Sequence, residues 1–98
     1  MSTVKVKLST SYHRHHAFTG SNSEFVKTFE NTYTVQSIFQ LDKTGEDAAE
    51  EVFEITNNPA RQAEREEKYG NGRSLSVGDI VEVDGVDYFC DSVGWEIV

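Results

Sequence analysis

Three groups of residues have types and spacing that could do chemistry. The first is His13-Arg14-His15-His16. His13 and His15 would share one side of an extended strand, and neutral imidazoles are common metal ligands. A zinc site needs four ligands with supporting hydrogen bonds. No cysteine pair or HExxH-like spacing supplies them, and no carboxylate precedes Glu24. No metal site is expected; a solvated loop, or a pH-sensitive contact to a partner, is the plainer reading. Tyr12, Arg14, His15 and Phe18 together have the make-up of a binding loop, because tyrosine and arginine are favoured at contact hot spots.

The second group is Arg73-Ser74-Leu75-Ser76. A cation between hydroxyls could hold a phosphate or carboxylate. The favoured reading is local: Arg73 pairs with Asp79 or Asp91, while the serines bond to turn backbone. The third group is acidic. Glu46, Asp47, Glu50, Glu51 and Glu54 fall within just over two helical turns, dense enough to meet a basic groove, although a solvated helix exterior explains them equally well. The single cysteine, Cys90, has no intramolecular disulfide partner and reads as a core residue in a reducing cytoplasm. There is no glycine-rich phosphate loop, no GxSxG elbow and no recognisable Cys–His spacing, so no catalytic residue and no cofactor is expected.

These groups need elements to hold them. Val4, Val6 and Leu8 alternate with Lys5 and Lys7, the pattern of a strand with one wet face. Residues 9–23 have no period and read as a loop, and Glu24 to Asn31 has the spacing of a short helix. Thr32 to Asp42 reads as a strand with Tyr33, Val35, Phe39 and Leu41 on one face and Ile38 exceptional on the other. The acidic middle is helical over 46–56, capped by the Thr44 side chain, with Ala48, Ala49, Val52, Phe53 and Ile55 as its apolar stripe. Asn57-Asn58-Pro59 breaks it. A second helix over 60–69 has a thin stripe of Ala60, Ala63 and Tyr69. Ile80 to Val83 and Val86 to Phe89 are β-branched and aromatic runs joined by Asp84-Gly85, a type I′ hairpin signal. Glu82 and Asp87 face each other there, so that side of the tip should be solvated. Residues 94–98 add a short strand.

The fold expected is a single α+β domain over residues 1–98. It combines a mixed or antiparallel sheet of four or five strands with a C-terminal β-hairpin and two short helices. Its core should hold Val35, Phe39, Leu41, Val52, Phe53, Leu75, Ile80, Val81, Phe89 and Trp95. Hydrophobic content of 37% and charged content of 27% fit a folded rather than a disordered chain. No apolar run approaches a membrane span and the start lacks an apolar signal core, so no membrane association is expected.

Charge is unevenly placed. Residues 1–41 balance to +2, residues 42–98 to −10, and the whole to −8. Such acidity repels nucleic acid over most of the surface; it suits a basic protein, or a DNA-binding groove entered as a phosphate mimic, while solubility alone is the stronger reading of it.

From about Asn57 to Val98 the chain resembles the YodL-like domains of bacteriophages, plasmids and other mobile elements. The likeness lies in the asparagine–proline helix break, a charged helix, a glycine linker, Arg73-Ser74-Leu75-Ser76-Val77-Gly78-Asp79 and Cys90-Asp91-Ser92-Val93-Gly94-Trp95. It implies a small α+β domain from a phage or mobile element and brings no catalytic residue with it. The expected function is cytoplasmic protein–protein binding to a host or viral protein, one with a basic surface suiting best. Inhibition of a host defence or housekeeping system is one such role. The candidate contacts are Tyr12, Arg14, His15, Phe18, Glu50, Glu51, Glu54 and Arg73. The alternative is a nucleic-acid-associated accessory protein using Lys5, Lys7, Arg14 and Lys27, with Tyr12 and Phe18 for stacking.

Overall fold

A computed structural model describes residues 1–10, 14 and 17–98. Five strands, β1 (Ser2–Ser9), β2 (Tyr33–Leu41), β3 (Ile80–Val83), β4 (Val86–Asp91) and β5 (Gly94–Ile97), form one antiparallel sheet in the order β2-β1-β3-β4-β5. Among the described residues three α-helices accompany it: α1 (Asn22–Thr28), α2 (Gly45–Asn57) and α3 (Gln62–Lys68). The α+β class and the strand positions follow the sequence pattern, and the sheet is wholly antiparallel. Beside the two expected helices of the acidic middle, α1 lies where Glu24 to Asn31 has the spacing of a short helix, starting two residues earlier.

The hairpin of β3 and β4 shows the local logic plainly. Type I′ turns need positive φ at both central residues, and Asp84 and Gly85 have φ of 49° and 86°. Val83 then faces Val86, Glu82 faces Asp87, Val81 faces Tyr88 and Ile80 faces Phe89. β1 lies along β3, with Val4 opposite Val83 and Val6 opposite Val81. The turn also clasps β1: Thr3 N–H donates to Asp84 Oδ1 at 2.9 Å and Asp84 N–H donates to the Thr3 carbonyl at 3.0 Å.

One face of the sheet is covered by α2 and the segment that follows it. Ala48, Ala49, Val52 and Ile55 of α2 meet Val4, Val6, Leu8, Leu41, Val81 and Val83, with Tyr69 and Leu75 closing one end. The opposite face has a smaller core, in which Phe25 of α1 packs edge-on against Phe89 at 5.9 Å above Ile80. Ser21 caps α1 by accepting from Glu24 N–H at 3.1 Å. Of the expected core, Leu41, Val52, Leu75, Ile80, Val81 and Phe89 are buried, and Phe39, Phe53 and Trp95 are half-buried.

Val35 is a correction: it is 55% exposed. The cause is a register shift against β1. Ser37 faces Val6 and Val35 faces Lys7, so Gln36 is an extra residue on β2. A bulge reverses side-chain parity beyond it, which turns Tyr33 and Val35 away from the face that holds Phe39 and Leu41. Ile38, 59% exposed, shares the outer face with Val35.

Three further expectations change. Thr44 stands at the N-cap of α2 but makes no side-chain cap bond. The second helix is split: Pro59–Arg61 forms a 3₁₀ turn before α3, and Ala60 and Ala63 are exposed while Tyr69 is buried. The Glu82–Asp87 pair is not left to water. Lys7 bridges both, at 2.9 Å and 3.0 Å. Burial would lower the Lys7 pKa, but its bonds to Glu82 and Asp87 outweigh that and leave it raised. The Lys7 bond in turn holds Glu82 below the usual carboxylate range.

Candidate protein-binding face

The acidic flank of α2 follows from helical spacing. Asp47, Glu50, Glu51 and Glu54 recur at intervals of three and four, which places them along one side. The opposite side, with Ala48, Ala49, Val52 and Ile55, is held against the sheet. Burying that apolar stripe therefore fixes where the carboxylates point. Together with Asp42, Lys43 and Thr44 they line an open hollow of about 400 Å³.

The carboxylates of this flank are not equivalent. Glu46, Asp47, Glu50 and Glu54 are exposed. Glu51 is half-buried and ion-paired to Arg61 at 2.6 Å and to Lys43 at 3.9 Å. Its bond to Arg61 lowers its pKa, despite a contrary contribution from burial. Among the described residues, Glu46, Asp47, Glu50 and Glu54 have no cation within ion-pair distance. Of the three glutamates singled out by sequence, Glu50 and Glu54 thus present net charge, while Glu51 is engaged within the fold.

A second, smaller hollow of about 210 Å³ opens beside the first and shares Glu50 with it. Phe53 from α2, Cys90 and Asp91 from β4, Ser92 from the turn, and Gly94 and Trp95 from β5 complete its lining. The Trp95 indole N–H donates to Glu50 Oε2 at 2.8 Å, so the contact joins the last strand to the helix. Spacing on α2 reveals the acidic stripe, but no local signal ties Trp95 to a glutamate far back in the chain. The Cys90 thiol is pushed up to about 12, by burial first and then by Asp79, Glu50 and Asp91. It is protonated near neutral pH, the condition of a packing residue rather than a nucleophile.

Arg73 lies elsewhere. Its guanidinium grips Asp79 by two bonds, Nη1 to Oδ2 at 2.6 Å and Nη2 to Oδ1 at 2.7 Å, and donates to the Ser9 carbonyl at 2.7 Å. Asp79 is fully buried and also accepts from Ser9 N–H and Ser76 N–H, each at 2.8 Å. Of the two carboxylates weighed for Arg73, it is Asp79 that it grips. Ser74 donates to the Thr56 carbonyl at 2.7 Å.

The candidate loop is described only in part. Tyr12, His13, His15 and His16 lie outside the described residues. Phe18 packs edge-on against Phe25 at 5.4 Å and against Phe29 at 6.1 Å, so its ring belongs to the smaller core. Arg14 is exposed, with its guanidinium carbon 5.7 Å from the centre of the Phe29 ring. Among the described residues no cluster of three or more histidine, cysteine or carboxylate side chains has metal-binding geometry, and no helix is long and apolar enough to cross a membrane.

No family model, curated protein or solved structure matches this chain.

Proposed function

We propose that the protein acts by binding another protein with a basic surface, through the exposed acidic flank of α2. The observation that carries this reading is the alignment of Asp47, Glu50 and Glu54 along one open hollow, away from the packed side of the helix. Complementary charge of this kind speeds encounter and narrows partner choice. The likeness to YodL-like domains suggests a phage or mobile element as the source and a host or viral protein in the bacterial cytoplasm as the partner. Inhibition of a host defence or housekeeping system is the role that fits such a setting.

The nucleic-acid alternative has less to work with. Lys5 and Lys7 are set against Glu82 and Asp87, and Phe18 is packed against other rings.

The test is co-purification from the native host with mass spectrometry, comparing the wild type with an Asp47→Asn, Glu50→Gln, Glu54→Gln variant. These exposed substitutions keep shape while removing charge. A basic protein retained by the wild type and lost by the variant supports the reading. An association that survives the triple substitution overturns it, as does DNA binding with a steep salt dependence.

A further inference from the structure

The small hollow between α2 and the β4–β5 turn combines aromatic and acidic lining. It is lined by two half-buried aromatic side chains, Phe53 and Trp95, and by two carboxylates, Glu50 and Asp91. Its volume of about 210 Å³ is below the roughly 300–1,000 Å³ usual for sites that enclose a small molecule. It is the right scale for one long side chain reaching in from a partner.

The donor already bound to Glu50 is uncharged and leaves its charge in place. Glu50 accepts from the neutral indole of Trp95 at 2.8 Å, and Asp91 accepts from the Asn22 amide at 2.7 Å and the Ser92 N–H at 2.7 Å. Aromatic rings attract cations to their faces, tryptophan most strongly. A guanidinium is planar, stacks on such rings and offers several in-plane donors to nearby carboxylates. An ammonium shares the charge and the attraction to a ring face but has neither the flat stacking surface nor the fixed fork of donors.

From this arrangement we infer that the hollow is an anchor for a single arginine side chain of the basic partner, with Trp95 and Phe53 supplying the walls and Glu50 the principal acceptor. The inference rests on the proposed acidic-face reading and adds to it a fixed point of recognition. Cation binding is favoured where negative potential is strong and partly shielded from water.

Trp95 is the only tryptophan in the chain, so its indole N–H resonance reports on this hollow alone. The probe is an all-lysine peptide and the same peptide with its central lysine changed to arginine, which have equal charge. The arginine peptide should bind the wild-type protein more tightly and shift the Trp95 indole signal. Glu50→Gln should weaken the arginine peptide about tenfold and remove most of its advantage over the all-lysine peptide. Asp47→Asn removes the same charge from the other hollow and should weaken both peptides about equally, within roughly twofold.

Equal affinity for the two peptides with an unmoved Trp95 signal would overturn the anchor while leaving general binding by the acidic face intact. If neither peptide bound, the anchor and the acidic-face reading would both fail. Thermal melts of each variant confirm that a change in affinity is not a change in folding.

Discussion

Asp79 sits in demanding surroundings for an acidic side chain. It is fully buried yet carries a carboxylate, and it is held by both Arg73 nitrogens and two backbone N–H groups. Through those bonds it ties the start of the hairpin to the end of β1. Removing one partner of such a pair leaves an uncompensated charge, a loss of about 3–5 kcal/mol. Arg73→Met keeps most of the stem and should lower the unfolding free energy by about that amount in urea titration. Arg73→Lys should recover only part of it, because an ammonium cannot reproduce the two-pronged geometry. A melting transition unchanged by Arg73→Met would mean the pair contributes nothing net. The sequence offered Asp79 and Asp91 as equally plausible partners for Arg73. Choosing between them required the meeting of β1 with the segment before β3, which no local pattern encodes.

Elements formed where the sequence carried a complete local instruction. Asp84-Gly85 between two β-branched runs specified the hairpin, its turn type and its register. β2 carried an incomplete one, because alternation assigns faces only while the ladder is regular, and the Gln36 bulge reverses the assignment midway. Trp95 was legible as a core residue on a short last strand but not as the neighbour of Glu50, since that contact depends on how α2 crosses the sheet. Two substitutions separate these cases. Phe89→Ala empties a fully buried site against Phe25 and should cost about 3–5 kcal/mol. Val35→Thr, on the exposed outer face of β2, should change stability by no more than about 0.5 kcal/mol. Denaturant titration of the two variants side by side checks both, and a large loss for Val35→Thr would contradict the bulged register.

The same sheet predicts a pH response. Glu82 has its folded pKa lowered by Lys7, so its stabilising contribution is present above the ordinary glutamate value and fades as pH falls through the lowered one. Lys7 has its folded pKa raised; its contribution is present below the ordinary lysine value and fades as pH rises through the raised one. Lys7→Met leaves Glu82 and Asp87 facing each other unbridged, a penalty of about 1 kcal/mol near neutral pH. Acidification then neutralises that repulsion, so the gap between variant and wild type should close as pH is lowered through the carboxylate range. Melting temperatures measured from neutral to acidic pH test this, and a gap that widened on acidification would refute the bridging role.

Across the whole molecule, charge is sorted by layer. The sheet's outer face sets Lys5 and Lys7 against Glu82 and Asp87, whereas the flank of α2 keeps four exposed carboxylates without a cation within ion-pair distance among the described residues. With a net charge of −8, the folded state carries self-repulsion that salt relieves. Exposed ion pairs also weaken in salt, but each is worth little, so the balance favours the fold. Association with a basic partner depends on the same carboxylates and responds in the opposite direction, because screening shortens the reach of their attraction. Raising ionic strength should therefore increase the melting temperature while weakening partner binding, chiefly through a slower association rate. The Asp47→Asn, Glu50→Gln, Glu54→Gln variant should show a flatter response in both measurements. Stopped-flow association rates and thermal melts across a salt series provide the check. A partner whose association rate ignored salt would be held by something other than this acidic flank.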